Sequence, residues 1–386
     1  MVNVLYDHQC FDLQSHGGVS NGAVQLISHL PSNINVMLGI KRTGNVHLLT
    51  SGISNIKPLL CEKDSFITKR YFKGKSWLYN QLSSRFLSLR PFDLNRAYSI
   101  QLLKKGNYDV FHPTYFLWYF LDYLNTKPFV LTIHDLTPEH YFEDKRDLQI
   151  EAREILISKA AHITVNSEFT KGDVMEYYKV PESKISVIYR GAPSKISFSK
   201  KKVSNFDYIL YVGSRTASYK NFIPMVKNLR AFLLSHHNIK LVCTGNEFNE
   251  EEMSVLDSLG IKDKVICRFC SQEELMNLYS NAICFIYPSM NEGFGLPILE
   301  AYSADCPVFL NRRSCFPEIG GNAAIYFDLD NDKGNLCDRL EEFLKYSTEQ
   351  KDDLLAKQRE RLSFFSWERS AEKLGQVYEM VHSEYR

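Results

Sequence analysis

Two series of short apolar runs, separated by segments with helical periodicity, organise this sequence. In the first series the runs cover residues 2–6, 36–39, 110–112, 129–134, 162–166 and 185–189. In the second they cover residues 208–212, 240–244, 265–267, 282–288, 307–310 and 324–327. Helical spacing of apolar positions lies between many of the runs, for example at 222–235. Strands that alternate with helices predict parallel sheets with helices on both faces. We therefore expect an α/β protein with two Rossmann-like, doubly wound domains.

The domain boundaries follow from breaks in this pattern. Residues 1–190 form the first predicted domain, and residues 191–207, rich in Ser and Lys and without strong periodicity, form a linker. Residues 208–364 form the second domain. A last amphipathic helix follows in residues 365–386. A chain of 386 residues is long enough for two domains.

Composition and charge describe a globular chain without an obvious polyanionic partner. The formal net charge is +1, so we expect no nucleic-acid binding. No apolar run approaches the roughly 18 residues that a membrane-spanning helix needs, and the first residues do not resemble a secretory signal. The nine cysteines are an odd, scattered set, which is typical of reduced thiols in the cytoplasm. We expect a cytoplasmic location.

One segment departs from this electrostatic balance. Residues 63–105 contain ten basic and two acidic residues, with aromatic residues interleaved. A basic, aromatic-rich segment can bind anionic lipid headgroups, which would place the protein peripherally on the inner face of the cell membrane. The alternative is a solvated helical face whose aromatic side chains belong to the core. Both interpretations stay open at this point.

The first candidate site segment runs from Asn291 to Glu300 and follows a strongly apolar run. Its glycines, Gly293 and Gly295, allow backbone N–H groups to approach a ligand closely. Pro297 is expected as the first helical residue, so the loop leads into a helix N-terminus, which favours phosphate. We expect Glu300 in the first helical turn, where it can accept hydrogen bonds from a ribose. The alternative makes Glu300 and the preceding Glu292 ordinary helix-start and turn residues.

Two cations mark the second segment. Arg215 and Lys220 follow the first predicted strand of the second domain, and their spacing suggests that they bracket a diphosphate. The alternative is a pair of cations on a loop surface. In the first domain, His134 follows a strand in the same way, where it can hydrogen-bond a sugar hydroxyl or a leaving-group oxygen. The turn at Gly17 and Gly18 also follows a strand, but it does not fit the dinucleotide-binding pattern.

Together these segments resemble retaining glycosyltransferase family 4, of the GT-B architecture. The resemblance is carried by the E-x7-E spacing of Glu292 and Glu300, and it includes the 317–321 stretch downstream. Supporting matches are residues 17–20, His134 with Asp135, residues 166–170, and the stretch from Gly213 to Asn221. The family implies two Rossmann-like domains that face a cleft, with the last helix crossing back to the first domain.

The resemblance also implies residue roles. Catalytic roles fall on Glu292, His134, Arg215 and Lys220. Donor-binding roles fall on Gly18, Arg215, Lys220, Phe269, Glu292, Gly293, Phe294, Gly295, Leu296 and Glu300. The implied enzyme is a retaining, metal-independent hexosyltransferase without a cofactor. It would transfer a hexose from a nucleoside-diphosphate sugar to a glycan or lipid-linked acceptor. The product would belong to a cell-surface polysaccharide such as capsule or lipopolysaccharide.

The sequence departs from the family at several points. Arg268 and Phe269 stand where glycine is frequent near the base pocket, and Asn21 stands where arginine is frequent. Asp328 and Asp330 match the D-x-D metal motif of the other large glycosyltransferase fold, but we interpret them as part of a surface loop. The alternative functions are a GT-B-fold sugar-nucleotide epimerase or phosphorylase, and a non-catalytic nucleotide-sugar-binding assembly partner.

Overall fold

The computed structural model describes residues 1–53, 56–58, 91–141, 147–193, 204–330 and 335–386. The chain divides into two compact units. The first unit consists of Met1–Asn166, Thr170–Arg190 and Trp367–Arg386. The second consists of Ser167–Phe169 and Gly191–Ser366.

Parallel strands form the centre of the first unit. They are β1 (Val2–Tyr6), β2 (Ile34–Leu38), β3 (Arg42–Thr43), β4 (Lys57–Pro58), β5 (Val110–His112), β6 (Val130–Ile133), β7 (His162–Val165) and β8 (Ile185–Val187). Their orders are β2-β1-β5 and β6-β7-β8, and a parallel bridge between Phe111 and Phe129 links the two sets. Strands β3 and β4 form a separate pair. Every residue of β5 and β7 is buried, as expected of parallel strands that are covered on both faces.

A six-stranded parallel sheet forms the centre of the second unit. Its strands are β9 (Asp207–Tyr211), β10 (Ile239–Thr244), β11 (Val265–Arg268), β12 (Cys284–Tyr287), β13 (Val308–Asn311) and β14 (Ile325–Phe327). Their spatial order is β11-β10-β9-β12-β13-β14, which is the order of a doubly wound Rossmann sheet. The order reverses between β9 and β12. In such sheets ligands bind outside the carboxyl ends of the strands at this reversal.

Helices connect the strands in both units. The α-helices are α1 (Gln9–Leu13), α2 (Gly18–Ser28), α3 (Val46–Thr50), α4 (Pro91–Lys105), α5 (Thr137–Tyr141), α6 (Leu148–Lys159), α7 (Glu168–Tyr178), α8 (Phe222–Ser235), α9 (Glu250–Ser258), α10 (Gln272–Asn281), α11 (Leu296–Ser303), α12 (Phe316–Gly320), α13 (Leu336–Leu344), α14 (Thr348–Leu362) and α15 (Trp367–Glu384). In the described part of the chain, none of the helices is both long and apolar enough to cross a membrane.

The structure adds to the predicted elements and shifts their bounds. Strands occur at every predicted apolar run, and their ends differ from the predicted ones by at most two residues. Strands β3 and β4 were not predicted, because two-residue strands leave no periodic signal. Strand β9 begins at Asp207, inside the predicted linker, and α15 begins at Trp367 rather than at residue 365. Most of the basic 63–105 segment lies outside the described residues, which include only its helix α4, so its membrane role stays a prediction.

Candidate active site

The loops after β9 and β12 lie side by side at the reversal of strand order in the second unit. The backbone N–H of Met290 donates to the carbonyl of Tyr219 at 2.7 Å. The carbonyl of Pro288 accepts hydrogen bonds from two side-chain amides, that of Asn221 at 3.2 Å and that of Asn311 at 3.1 Å. Asn221 has a left-handed φ of 59° and is the N-cap residue of α8. One carbonyl therefore links the segments at the carboxyl side of three neighbouring strands, β9, β12 and β13.

Lys220 and Glu292 meet across these two loops. Nζ of Lys220 lies 2.6 Å from Oε1 of Glu292, and both side chains are mostly buried. Glu292 also accepts a hydrogen bond from the hydroxyl of Tyr287. Burial and the charge of Glu292 raise the pKa of Tyr287, so this hydroxyl stays a donor. The site thus holds an ammonium group beside a carboxylate that two groups orient.

The glycine-rich loop leads directly into α11. Gly295 is the N-cap residue with φ 92° and ψ 56°, a left-handed conformation that favours glycine. The ring of Phe294 is buried and packs edge-on against Phe365, with centroids 5.6 Å apart. The first N–H groups of a helix have no partner within the helix, so the start of α11 is suited to an anion. The predicted first residue was wrong, since α11 begins at Leu296 and Pro297 is its second residue.

Glu300 is the fifth residue of α11, not a first-turn residue as the sequence suggested. Its carboxylate accepts a hydrogen bond from the hydroxyl of Tyr279 at 3.3 Å and another from the side chain of Gln272. Burial raises the pKa of Glu300. Phe269 follows β11, three positions before Gln272, and its side chain is 87% exposed. A hydrogen-bonding carboxylate and an exposed aromatic ring therefore accompany the segment that begins α10.

Arg215 is held by its own unit. Its Nε donates to Oε1 of Glu252 at 3.0 Å, and its other nitrogens donate to the carbonyls of Thr244 at 3.1 Å, Glu247 at 3.2 Å, and Asn246. The guanidinium also lies 4.7 Å from the ring centroid of Phe248. Arg215 and Lys220 thus pair with different carboxylates, Glu252 and Glu292. Contact between Arg215 and a diphosphate stays a prediction.

In the first unit, His134 follows β6 and lies against Arg190. Nη2 of Arg190 is 2.9 Å from Nδ1 of His134. Burial, together with the charge of Arg190, lowers the pKa of His134, so the ring is neutral near pH 7. A guanidinium can only donate, so Nδ1 accepts and the imidazole proton resides on Nε2. His134 therefore presents a hydrogen-bond donor, not a base, to a ligand at Nε2.

The glycine turn of the first unit begins α2. Gly18 is the first helical residue, and Gly17 precedes it. The side-chain oxygen of Gln14 accepts a hydrogen bond from the N–H of Ser20 at 3.1 Å. A Cβ on Gly17 would lie 2.3 Å from that oxygen, so a side chain at this position would displace the cap. Gly17 thus allows Gln14 to bind the start of α2, while the predicted ligand contact of Gly18 stays a prediction.

The D-x-D residues form surface ion pairs. Arg313 lies 3.5 Å from the carboxylate of Asp328 and 2.9 Å from that of Asp330, and all three side chains are substantially exposed. The carboxylates thus have a cationic partner within the same unit. Metal independence stays a prediction.

Sequence reasoning missed Asn311, Glu252 and Arg190. Asn311 ends β13, and its place at the carboxyl end of a strand was the available signal. Glu252 stands in an acidic first turn of α9, which looks like ordinary dipole compensation. Arg190 is the last residue of the predicted first domain, directly before the predicted linker, so its position resembled a domain boundary rather than a site.

Comparisons with known proteins agree with this architecture. The family described as "Glycosyltransferase Family 4" matches residues 16–194, and that described as "Glycosyl transferases group 1" matches residues 194–361. The chain belongs to glycosyltransferase family 4, and its fold is of the GT-B type.

Two curated relatives and two solved structures show the range of similarity. The O-antigen chain mannosyltransferase RfbU of Salmonella typhimurium is 31% identical over 53% of this chain and 57% of its own length. O-antigen chain mannosyltransferase B of Escherichia coli is 26% identical over 52% and 57%. Each match thus spans less than two thirds of the relative. Sucrose-phosphate synthase from Thermosynechococcus elongatus superposes with a TM-score of 0.69 at 16% identity, covering 100% of both chains. Anabaena Alr3699/HepE with UDP and glucose superposes at 0.68 and 14% identity, covering 99% of this chain and 100% of its own.

Proposed function

We propose that this protein is a retaining glycosyltransferase that moves a hexose from a nucleoside-diphosphate sugar to a glycan or lipid-linked acceptor in cell-surface polysaccharide synthesis. The observation that carries the proposal is the Lys220–Glu292 pair beside the start of α11. It puts a cation and a helix N-terminus at the strand ends where doubly wound sheets bind ligands. The O-antigen mannosyltransferase relatives make mannose the first sugar to test.

The chemistry needs stabilisation of negative charge. An acceptor hydroxyl oxygen attacks the anomeric carbon, the bond from that carbon to the phosphate oxygen breaks, and the hydroxyl proton passes to the departing diphosphate. Same-face attack of this kind retains the anomeric configuration. Lys220 and the N–H groups of residues 293–296 would stabilise the leaving diphosphate, which makes a metal unnecessary. Arg215 would join them by exchanging one carbonyl partner for a phosphate oxygen.

The remaining donor contacts follow from the partners of Glu300. Its carboxylate would accept hydrogen bonds from the ribose hydroxyls, and the donors on Tyr279 and Gln272 already orient it. The exposed ring of Phe269 would stack on the base. Glu292 would contact the transferred sugar. In the first unit, His134 would donate from Nε2 to a sugar hydroxyl or to a leaving-group oxygen.

A donor screen tests the proposal. The protein is incubated with UDP-, GDP- and dTDP-sugars in EDTA and, in parallel, with magnesium or manganese. Mass spectrometry then scores transfer to a membrane lipid extract and hydrolysis of each donor. We expect turnover of one donor class at equal rates with and without metal, and retention of the anomeric configuration by NMR. Absence of both turnover and nucleoside-diphosphate binding would refute the transferase proposal, and turnover only with metal would refute metal independence.

A further inference from the structure

Arg190 is a buried cation in the first unit. Arg190 is only 5% exposed. It lines a small cavity together with His134, His112, Thr132 and Tyr6. Within the described ranges its hydrogen-bond partner is Nδ1 of His134, and no carboxylate lies within ion-pair distance. A buried charge without an opposite charge is costly, so such groups are normally paired.

The contrast with Arg153 shows that this unit pairs a buried arginine elsewhere. Arg153 is 1% exposed, and its guanidinium forks onto Glu139 with distances of 2.7 and 2.8 Å. Both partners of that pair are satisfied, which is the usual arrangement for a structural arginine. Arg190 lacks this arrangement among the described residues. The burial of Arg190 is therefore not explained by a structural ion pair like that of Arg153.

The groups around Arg190 leave its charge uncompensated. Burial and the charge of Arg190 lower the pKa of His112 to about 3, so this ring is neutral near pH 7. Burial also lowers the pKa of Arg190 to about 10, which still leaves it protonated. The carboxylate of Asp7, at the end of β1, accepts hydrogen bonds from Thr114 and Gln9 instead. The cavity thus carries one positive charge, with neutral rings around it.

Helix α2 packs closely against the guanidinium of Arg190. A Cβ on Gly22 would lie 2.8 Å from Nη1 of Arg190, so the guanidinium occupies space that only glycine leaves open. Gly22 is the fifth residue of α2, and this helix contains no acidic residue. The helix that packs against the guanidinium therefore supplies no carboxylate to it.

We propose that Arg190 and His134 form an oxyanion site in the first unit that binds a phosphate group of a phosphorylated ligand. Arg190 supplies charge and N–H donors, and His134 donates from Nε2. The cavity volume of about 30 Å³ has room for one or two oxygen-sized atoms, so one phosphate oxygen enters while the rest of the group stays at the opening. The choice of ligand rests on the proposed function: the phosphate belongs either to the nucleoside-diphosphate sugar or to a phosphorylated acceptor.

Calorimetric titration of Arg190→Met tests the site, with inorganic pyrophosphate, nucleoside diphosphates and octyl phosphate as probes. Loss of a charged hydrogen-bond partner should weaken Kd roughly 10- to 100-fold. Weaker nucleoside-diphosphate binding assigns the site to the donor. Weaker octyl phosphate binding with unchanged nucleoside diphosphate assigns it to an acceptor. Either result supports the proposal.

Stability separates this role from a structural one. Without ligand, Arg190→Met should melt no lower than the unsubstituted protein, because it removes an unpaired buried charge. Arg153→Met, the matched control, should melt several degrees lower, because it strands Glu139. The proposal is overturned if all three Kd values of Arg190→Met stay within twofold, or if the unsubstituted protein binds none of the probes. Lys220→Met, titrated in parallel, reports separately on the donor site of the proposed function.

Discussion

Nζ of Lys220 lies 2.6 Å from Oε1 of Glu292, although 72 positions separate the two residues in the sequence. The pair neutralises both charges when no ligand is bound. A diphosphate would compete with Glu292 for the ammonium group, so the two residues should respond to substitution in opposite ways.

The first prediction concerns this competition. Lys220→Met should weaken nucleoside-diphosphate binding and lower kcat/KM for transfer by roughly 10²–10³-fold, because it removes charge from the leaving-group site. Glu292→Gln should also lower kcat/KM but tighten nucleoside-diphosphate binding, since the competing carboxylate is gone. Calorimetry and initial rates measure both effects. Lys227→Met, an exposed lysine on α8, is the control and should change neither. Weaker nucleotide binding by Glu292→Gln would contradict the competition.

The second prediction concerns Arg215. Glu252→Gln should destabilise the second unit by about 3–5 kcal/mol, because it leaves a guanidinium buried beside a neutral amide. Urea unfolding measures the change. Glu342→Gln, which breaks the exposed pair with Arg339, should cost less than about 1 kcal/mol. Equal effects of the two substitutions would show that the Arg215–Glu252 pair is not a significant stabilising contact.

Gly295 is the subject of the third prediction. Gly295→Ala should destabilise the second unit by about 1–3 kcal/mol, because alanine adopts a φ of 92° only under strain and its Cβ would lie 3.0 Å from Cδ1 of Ile298. It should also weaken donor binding by shifting the start of α11. Gly172→Ala on α7 is the matched control. A Cβ there meets no atom within 4 Å, so helix propensity should make it stabilising by about 0.5–1 kcal/mol. Thermal unfolding gives the signs, and two changes of the same sign would argue against the strain at Gly295.

The fourth prediction is a pH dependence of stability. Burial lowers the pKa of His162 to about 4 and that of His112 to about 3, against an ordinary value of 6.5. As pH falls below about 6.5, these histidines bind protons in the unfolded chain but stay neutral in the folded chain. Protonation therefore favours the unfolded chain, and the free energy of unfolding falls. Each histidine contributes a slope of up to about 1.4 kcal/mol per pH unit between about 6.5 and its folded pKa.

Substitution isolates this contribution. His162→Gln should reduce the slope of unfolding free energy against pH between pH 6.5 and 4.5 by up to about 1.4 kcal/mol per pH unit, the contribution of one proton. Urea unfolding at several pH values measures this slope. His237→Gln, at an exposed position, should leave the slope unchanged. If both variants keep the slope of the unsubstituted protein, burial of His162 does not contribute to acid sensitivity.

Periodicity predicted the sheets well, because a buried parallel strand such as Cys284–Tyr287 is continuously apolar and flanked by turn residues. It could not predict which side chains would meet. Arg215 was predicted to help bracket a diphosphate, but its pairing with Glu252 was not predicted, because that residue looked like part of an ordinary acidic first turn. Glu300 was predicted to lie in the first helical turn, but α11 begins one residue earlier than predicted and so places Glu300 beyond that turn.

Long-range partners were equally beyond the sequence. His112 bonds the hydroxyl of Tyr378 at 2.6 Å across 266 positions, and nothing local in either segment indicates it. The surroundings of Arg190 could not be predicted either, because the residues near it come from elements that are distant in the sequence, including β6 and α2. Local pattern thus gives the elements and the strand-end loops, whereas charge pairing is decided by tertiary packing.

The carbonyl of Pro288 has a consequence for redesign. The side chains of Asn221 and Asn311 both donate hydrogen bonds to this carbonyl. The glycine-rich segment therefore cannot be replaced by that of another enzyme without also changing the two neighbouring segments. A graft of residues 288–296 alone would shift the carbonyl at position 288, so the side-chain amides of Asn221 and Asn311 would lose their acceptor. Transplants that alter sugar preference should therefore move all three strand-end segments together.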